Sequence, residues 1–271
     1  NKTRKASVYV QKILVQQDTL GRGSASTGIA WVKNNEIHIE KDVVAPSDFV
    51  RRRFNASNLV IGHNRLPSRG GVNLENSHPF LSCNKEIALI HNGTEKTDFA
   101  RPLLEKLGHT IVGTTDSEIL CHLIEELSKN RPINEAFDAV CNASAWSTIM
   151  ILTKDNNVYC DGGSKVVIED AEGIYIASEI ESFLPLFKDK EKTVYETDGP
   201  VAIVAGKLVF YSKYEKTRKK IKEDKGWFTW SGKRKKERNS ITYGEPTFED
   251  EDESDVRDAE PYWKKHPEYV D

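Results

Sequence analysis

The sequence predicts an α+β fold built in layers, and three observations carry that expectation. Helical periodicity opens the chain and returns in a central block. Short apolar runs bounded by Asn, Gly and Pro lie on both sides of that block. The two kinds of element do not alternate regularly, as a doubly wound sheet would require.

The 271 residues suffice for one large domain or two small ones. Taking the elements in order, VYVQKILVQQDTL sets Val8, Ile13, Leu14, Gln17 and Leu20 near helical spacing, and Gly21-Arg22-Gly23 stops the helix. TGIAWV and NEIHIEK, joined at Asn34-Asn35, read as a hairpin. A polar helix is expected over 46–55. NLVIGHNR and EIALIHNG are apolar runs that reach a His-Asn pair, so two buried strands should end at loops. The stretch between them, RLPSRGGVNLENSHPF, has loop composition with many hydrogen-bonding side chains. DFARPLLEKLG reads as a helix closed by Gly108. DSEILCHLIEELSKN reads as another, with Thr115 or Asp116 at its N-cap, and residues 132–143 as a third. STIMILTK, VYCDG, VVIED and GIYIAS then follow as strands.

Composition narrows the function classes. The 38% hydrophobic and 30% charged content is ordinary for a soluble domain, and the mean hydropathy of −0.57 points to one solvated segment. No apolar run approaches a membrane span, and the N-terminal residues have no signal-peptide core. Cys83, Cys121, Cys141 and Cys160 lie far apart without a C-x-x-C pair, so reduced structural thiols in a cytoplasmic protein are expected, and no metal site. Cys121 falls on the apolar face of its helix and is expected in the core.

In order, the chain contains GRGSASTGIA, IGHNRLPSRGG, ENSHPF, ALIHNG, TTDSEIL and GIYIASE. This series resembles the glutaminase domain of class II glutamine amidotransferases, over about three quarters of the chain. The resemblance implies a four-layer α/β/β/α sandwich of the N-terminal-nucleophile hydrolase type. It also implies hydrolysis of glutamine to glutamate and ammonia through a cysteinyl thioester, with no organic cofactor or metal. Arg65 would clamp the substrate α-carboxylate and Asp116 its α-ammonium. The Asn92 side chain and the Gly93 N–H would form the oxyanion hole. Ser68 stands at the family's threonine position, His78 at a loop histidine beside the pocket, and Arg22 where an arginine lies near the nucleophile. His63, His91 and His109 are expected to be structural, because this chemistry needs no histidine base. Leu66, Arg69 and Ala25 depart from the family pattern.

The family's nucleophile is an N-terminal cysteine whose own amine is the base, on a short apolar first strand. This chain opens with Asn1, so the cysteine-bearing strand is expected upstream. The alternative is a paralogue without catalysis that keeps the pocket for binding glutamine or another protein. The domain is expected to span 1–211, followed by a charged tail, 212–271, extended or partly disordered. Such a tail is too small and charged for a synthase, so the ammonia acceptor is expected on a separate subunit. Basic residues over 213–238 with Trp227, Phe228 and Trp230 offer a weaker nucleic-acid reading, against which the net charge of −3 argues.

Overall fold

The computed structural model describes residues 2–50, 58–68, 70–144, 147–183, 186, 192–210 and 219–221. Helix α1 (Lys2–Thr19) ends as the sequence predicts. Gly21 takes φ 72°, the Gly21 N–H reaches the Asp18 carbonyl and the Arg22 N–H the Gln17 carbonyl, a Schellman closure. Its inner face differs from the expected one. Ile13 and Leu14 are buried, whereas Val8 and Leu20 are exposed.

Strands β1 (Ser26–Lys33) and β2 (Glu36–Asp42) form the expected hairpin, antiparallel about Asn34 (φ 53°) and Asn35 (φ 60°). Asparagine tolerates the positive φ that a tight primed turn needs at both positions. The helix expected over 46–55 is a single turn, α2 (Pro46–Phe49); residues 51–57 lie outside the described ones. Then come β3 (Val60–Arg65), β4 (Phe80–Leu81), β5 (Ile87–Asn92), α3 (Arg101–Lys106), α4 (Asp116–Ser128) and α5 (Ile133–Ala143). Strands β6 (Thr148–Thr153), β7 (Val158–Asp161), β8 (Lys165–Asp170) and β9 (Ile174–Ala177) occupy the four runs read as strands. β10 (Lys192–Thr197), β11 (Val201–Val204) and β12 (Lys207–Phe210) were not assigned from sequence, and β13 (Lys219–Ile221) pairs with β10 inside the stretch expected as tail. Residues 222–271, including most of the basic and acidic runs, lie outside the described ones.

The strands form sheets ordered β2-β1-β3, β13-β10-β8-β9 and β12-β11-β7-β6-β5-β4. Period-two alternation sends neighbouring side chains into different layers. Ile29 and Trp31 of β1 pack with Leu14 of α1 and Phe49, while Ala30 and Val32 meet Ala88, Ile90 and Leu152 of the six-stranded sheet. On that sheet's other face, Ile87 and Leu89 pack against Leu120, Cys121 and Ile124 of α4 and Phe137 of α5. Burying each such side chain contributes about 1.5–3 kcal/mol. The result is helix, sheet, sheet, helix: an α+β four-layer sandwich. Cys121 lies in its core, as expected.

Candidate active site

Two sheet edges face one cavity. β3 is the last strand of its three-stranded sheet and β9 the last of its four-stranded one, and neither has a partner on its outer side among the described residues. A cavity of about 1250 Å³ is lined by Val60–Arg65 along one side and by Ile174–Ala177 along the other. The residues expected at the substrate site all line it: Arg22, Arg65 and Ser68, then His78, Asn92, Gly93 and Asp116.

Local structure explains each placement. Arg65 ends β3 and is buried; its NH1 donates to the Gly71 carbonyl at 2.7 Å, so the loop after β3 is wrapped on the guanidinium. Burial pulls the Arg65 pKa down and the Asp116 carboxylate acts the other way, favouring the charged form. Asp116 is the first residue of α4 after the N-cap Thr115, whose side chain makes no capping bond. The Asp116 carboxylate accepts from the N–H of Glu95 at 2.5 Å and of Ser117 at 2.9 Å, which fixes it at the cavity wall.

Asn92 closes β5, with a side chain that is exposed and makes no hydrogen bond among the described residues. Gly93 follows at φ 153°, and a Cβ there would lie 2.1 Å from Ser147 Oγ, so both backbone angle and space demand glycine. Ser68 accepts a hydrogen bond from Thr94 Oγ1 at 3.2 Å, tying the loop after β3 to the one after β5. Arg22 forms a forked ion pair with Glu179, both contacts at 2.8 Å.

The floor holds buried imidazoles. The rings of His63 and His78 lie 4.1 Å apart. Both nitrogens of His78, Nδ1 of His63 and Nε2 of His91 are buried without a hydrogen-bond partner among the described residues. Burial pushes the His63 pKa down to about 3 and His78 well below its usual value, with neighbouring cationic groups adding to the effect, so both rings are neutral near pH 7. Of the cysteines, Cys160 lines the cavity, but burial pushes its thiol up to about 11, which disfavours the thiolate.

The family described as Glutamine amidotransferases class-II matches residues 21–178. The chain belongs to that family. Curated relatives include the glutamine–fructose-6-phosphate aminotransferases of Sulfolobus acidocaldarius, 28% identical over 201 residues, covering 70% of this chain and 33% of that protein. That of Thermotoga maritima is 31% identical over 193 residues, covering 68% and 31% respectively. The chain thus spans about a third of the length of these relatives. Among solved structures, the Bacillus subtilis glutamine phosphoribosylpyrophosphate amidotransferase superposes with TM-score 0.57 at 18% identity, over 79% of this chain and 45% of that one. The structure described as the allosteric regulatory enzyme of purine biosynthesis gives 0.58 at 20% identity, with the same coverage. The sandwich is therefore that of the N-terminal-nucleophile hydrolase amidotransferases.

Within this class II domain the sequence does not show a chain of side-chain contacts that reaches Asp116. His91 Nδ1 lies 3.0 Å from Ser117 Oγ, and that hydroxyl lies 3.4 Å from Asp116 Oδ1. The signal was present, since His91 belongs to the HNG run and Ser117 to TTDSE, but only folding shows that the two motifs touch. His91 and His109 are hydrogen-bonded, whereas His63 Nδ1 is buried without a hydrogen-bond partner among the described residues. No helix among the described residues is long and apolar enough to cross a membrane.

Proposed function

We propose that this domain is the glutaminase component of an amidotransferase, with its nucleophilic cysteine on a strand N-terminal to Asn1 that seats between β3 and β9. The observation carrying this reading is the cavity between two strand edges that are unpartnered among the described residues, with Arg65, Asp116, Asn92 and Gly93 on its wall. A strand inserted there would satisfy the open backbone groups of both edges and join two sheets into one.

In this reading Arg65 and Asp116 read the free amino-acid end of glutamine by charge, and so hold the side-chain amide at Asn92-Gly93. The cysteine sulfur bonds to the amide carbon, and the Asn92 amide and Gly93 N–H stabilise the oxyanion. Collapse expels ammonia, which takes the proton that the terminal amine accepted from the thiol on attack, and leaves a thioester. Water then releases glutamate. Arg22, paired with Glu179, shapes the mouth beside the nucleophile. Ser68 and His78 shape the loops around the substrate. The ammonia goes to an acceptor on a separate synthase subunit; the acceptor of the curated relatives, fructose 6-phosphate, is the first to try.

The test is N-terminal sequencing and intact mass of the mature protein from its natural source, followed by a glutamate-release assay. A terminal Cys that an electrophilic glutamine analogue labels, with turnover, supports the reading. A mature terminus without cysteine, together with glutamine binding but no glutamate release, overturns it in favour of a binding module.

A further inference from the structure

Outside the glutamine cavity, four side chains from three separate segments converge. Cys83 lies in the turn between β4 and β5, His109 in the connection from α3 to α4, and His122 and Glu125 stand one turn apart on α4. One sulfur, two imidazole nitrogens and a carboxylate oxygen all lie within 4.8 Å of one another. Cys83 Sγ is 3.7 Å from His122 Nδ1, and Glu125 Oε2 is 3.0 Å from His122 Nδ1 and 3.2 Å from His109 Nδ1. Donors at tetrahedral zinc, with bonds of about 2.0–2.3 Å, stand roughly 3.3–3.8 Å apart, so these spacings close on an ion with small adjustments.

We propose that Cys83, His109, His122 and Glu125 form a structural zinc site that nails the β4–β5 turn and the α3–α4 connection to α4. The donor set suits the metal. A thiolate and a carboxylate balance a divalent charge, and thiolate with imidazole selects zinc over the hard cations. The surroundings are also those of a metal site. His109 turns its other nitrogen to Glu126 Oε2 at 2.8 Å, the carboxylate-histidine contact that fixes a metal-binding tautomer. With its proton on that nitrogen, His109 directs a lone pair at Glu125 Oε2, and a cation between them removes the repulsion. The Glu125 carboxylate is held in place by the N–H groups of Cys83 at 2.9 Å and Asn84 at 2.7 Å. The histidines and Glu125 are buried while Cys83 is exposed, so the ion has an entry side.

The site does not depend on the glutaminase reading, but it bears on the cavity. α4 begins at Asp116 and β5 ends at Asn92, so the ion would fix the elements that deliver both residues.

Metal content of the untagged protein, purified without chelator, decides the matter. Mass spectrometry should find about one zinc per chain, and Co²⁺ added after chelation should give a near-ultraviolet thiolate-to-cobalt band with intense tetrahedral visible bands. Cys83→Ser, a small change at an exposed position, should lose the thiolate band. Glu126→Gln, which touches no ion, should weaken zinc binding about 10- to 100-fold. Wild-type protein without zinc or a thiolate-cobalt band overturns the proposal, and leaves the cluster as a hydrogen-bonded group of His109, His122, Glu125 and Glu126. A cobalt band unchanged in Cys83→Ser overturns it too, by assigning the ion to another cysteine.

Discussion

Arg22 and Glu179 tie the three-stranded sheet to the four-stranded one: their forked pair, 2.8 Å on each arm, runs from the turn before β1 to the second residue beyond β9. The Arg22 side chain is 56% exposed, so the pair adds little to stability. Arg22→Ala should cost no more than about 1 kcal/mol in urea unfolding. If Arg22 holds the mouth of the cavity as proposed, its larger effect should fall on glutaminase kcat/KM, because the variant breaks the pair with Glu179. Equal small losses in stability and in kcat/KM would assign Arg22 a merely structural part.

Gly93→Ala should be severe. The new Cβ meets Ser147 Oγ at 2.1 Å and Cβ at 2.7 Å, on a backbone of φ 153°. Unfolding free energy should fall by about 1–3 kcal/mol. If the Gly93 N–H is the oxyanion donor, glutamate release should fall by about 100-fold or more. Chemical denaturation and steady-state kinetics read the two effects separately.

Asp116→Asn keeps the shape and removes the charge. If Asp116 binds the substrate ammonium, glutamine KM should rise by about 10- to 100-fold, the range expected for a lost charged hydrogen bond. The kcat should change less, and an analogue lacking the α-amino group should not distinguish variant from wild type. An unchanged KM would return Asp116 to an α4 N-terminal role alone.

Stability should decline in acid through the buried histidines. In the unfolded chain they titrate near 6.5, whereas folding holds His63 down at about 3 and His78 well below its usual value. The unfolded state therefore takes up protons first. Stability present above pH 6.5 is lost as pH falls toward 3, by up to about 1.4 kcal/mol per pH unit for each histidine. His63→Asn should flatten that slope in urea titrations between pH 6.5 and 4.

Asp18 acts in the opposite sense. Burial pushes its carboxyl up to about 6, with a Ser24 hydrogen bond pulling down and Asp48 pushing up. The folded state binds this proton more tightly, so its contribution is full below pH 3.8 and lost as pH rises through 6. Asp18→Asn should stabilise the protein above pH 6 by about 1 kcal/mol, discounted for partial exposure, and have no effect below pH 4.

Local chemistry settled much of this protein in the sequence alone. Asn34-Asn35 fixed the first hairpin because asparagine accepts left-handed φ, Gly21 and Gly108 closed helices for the related reason that they lack Cβ, and alternating or periodic apolar residues named most strands and helices. The HNR, HNG and TDSE runs already name the cavity residues Arg65, Asn92, Gly93 and Asp116 in the sequence. Tertiary structure decided what depends on distant partners. β13 forms because β10 offers it an edge, and Val8 is exposed because Ile13 and Leu14 set the buried face of α1. Cys83, His109 and the His122/Glu125 pair read as scattered residues in sequence. They meet because α4 packs beside the β4–β5 turn, and no periodicity encodes a contact made by the packing of whole elements.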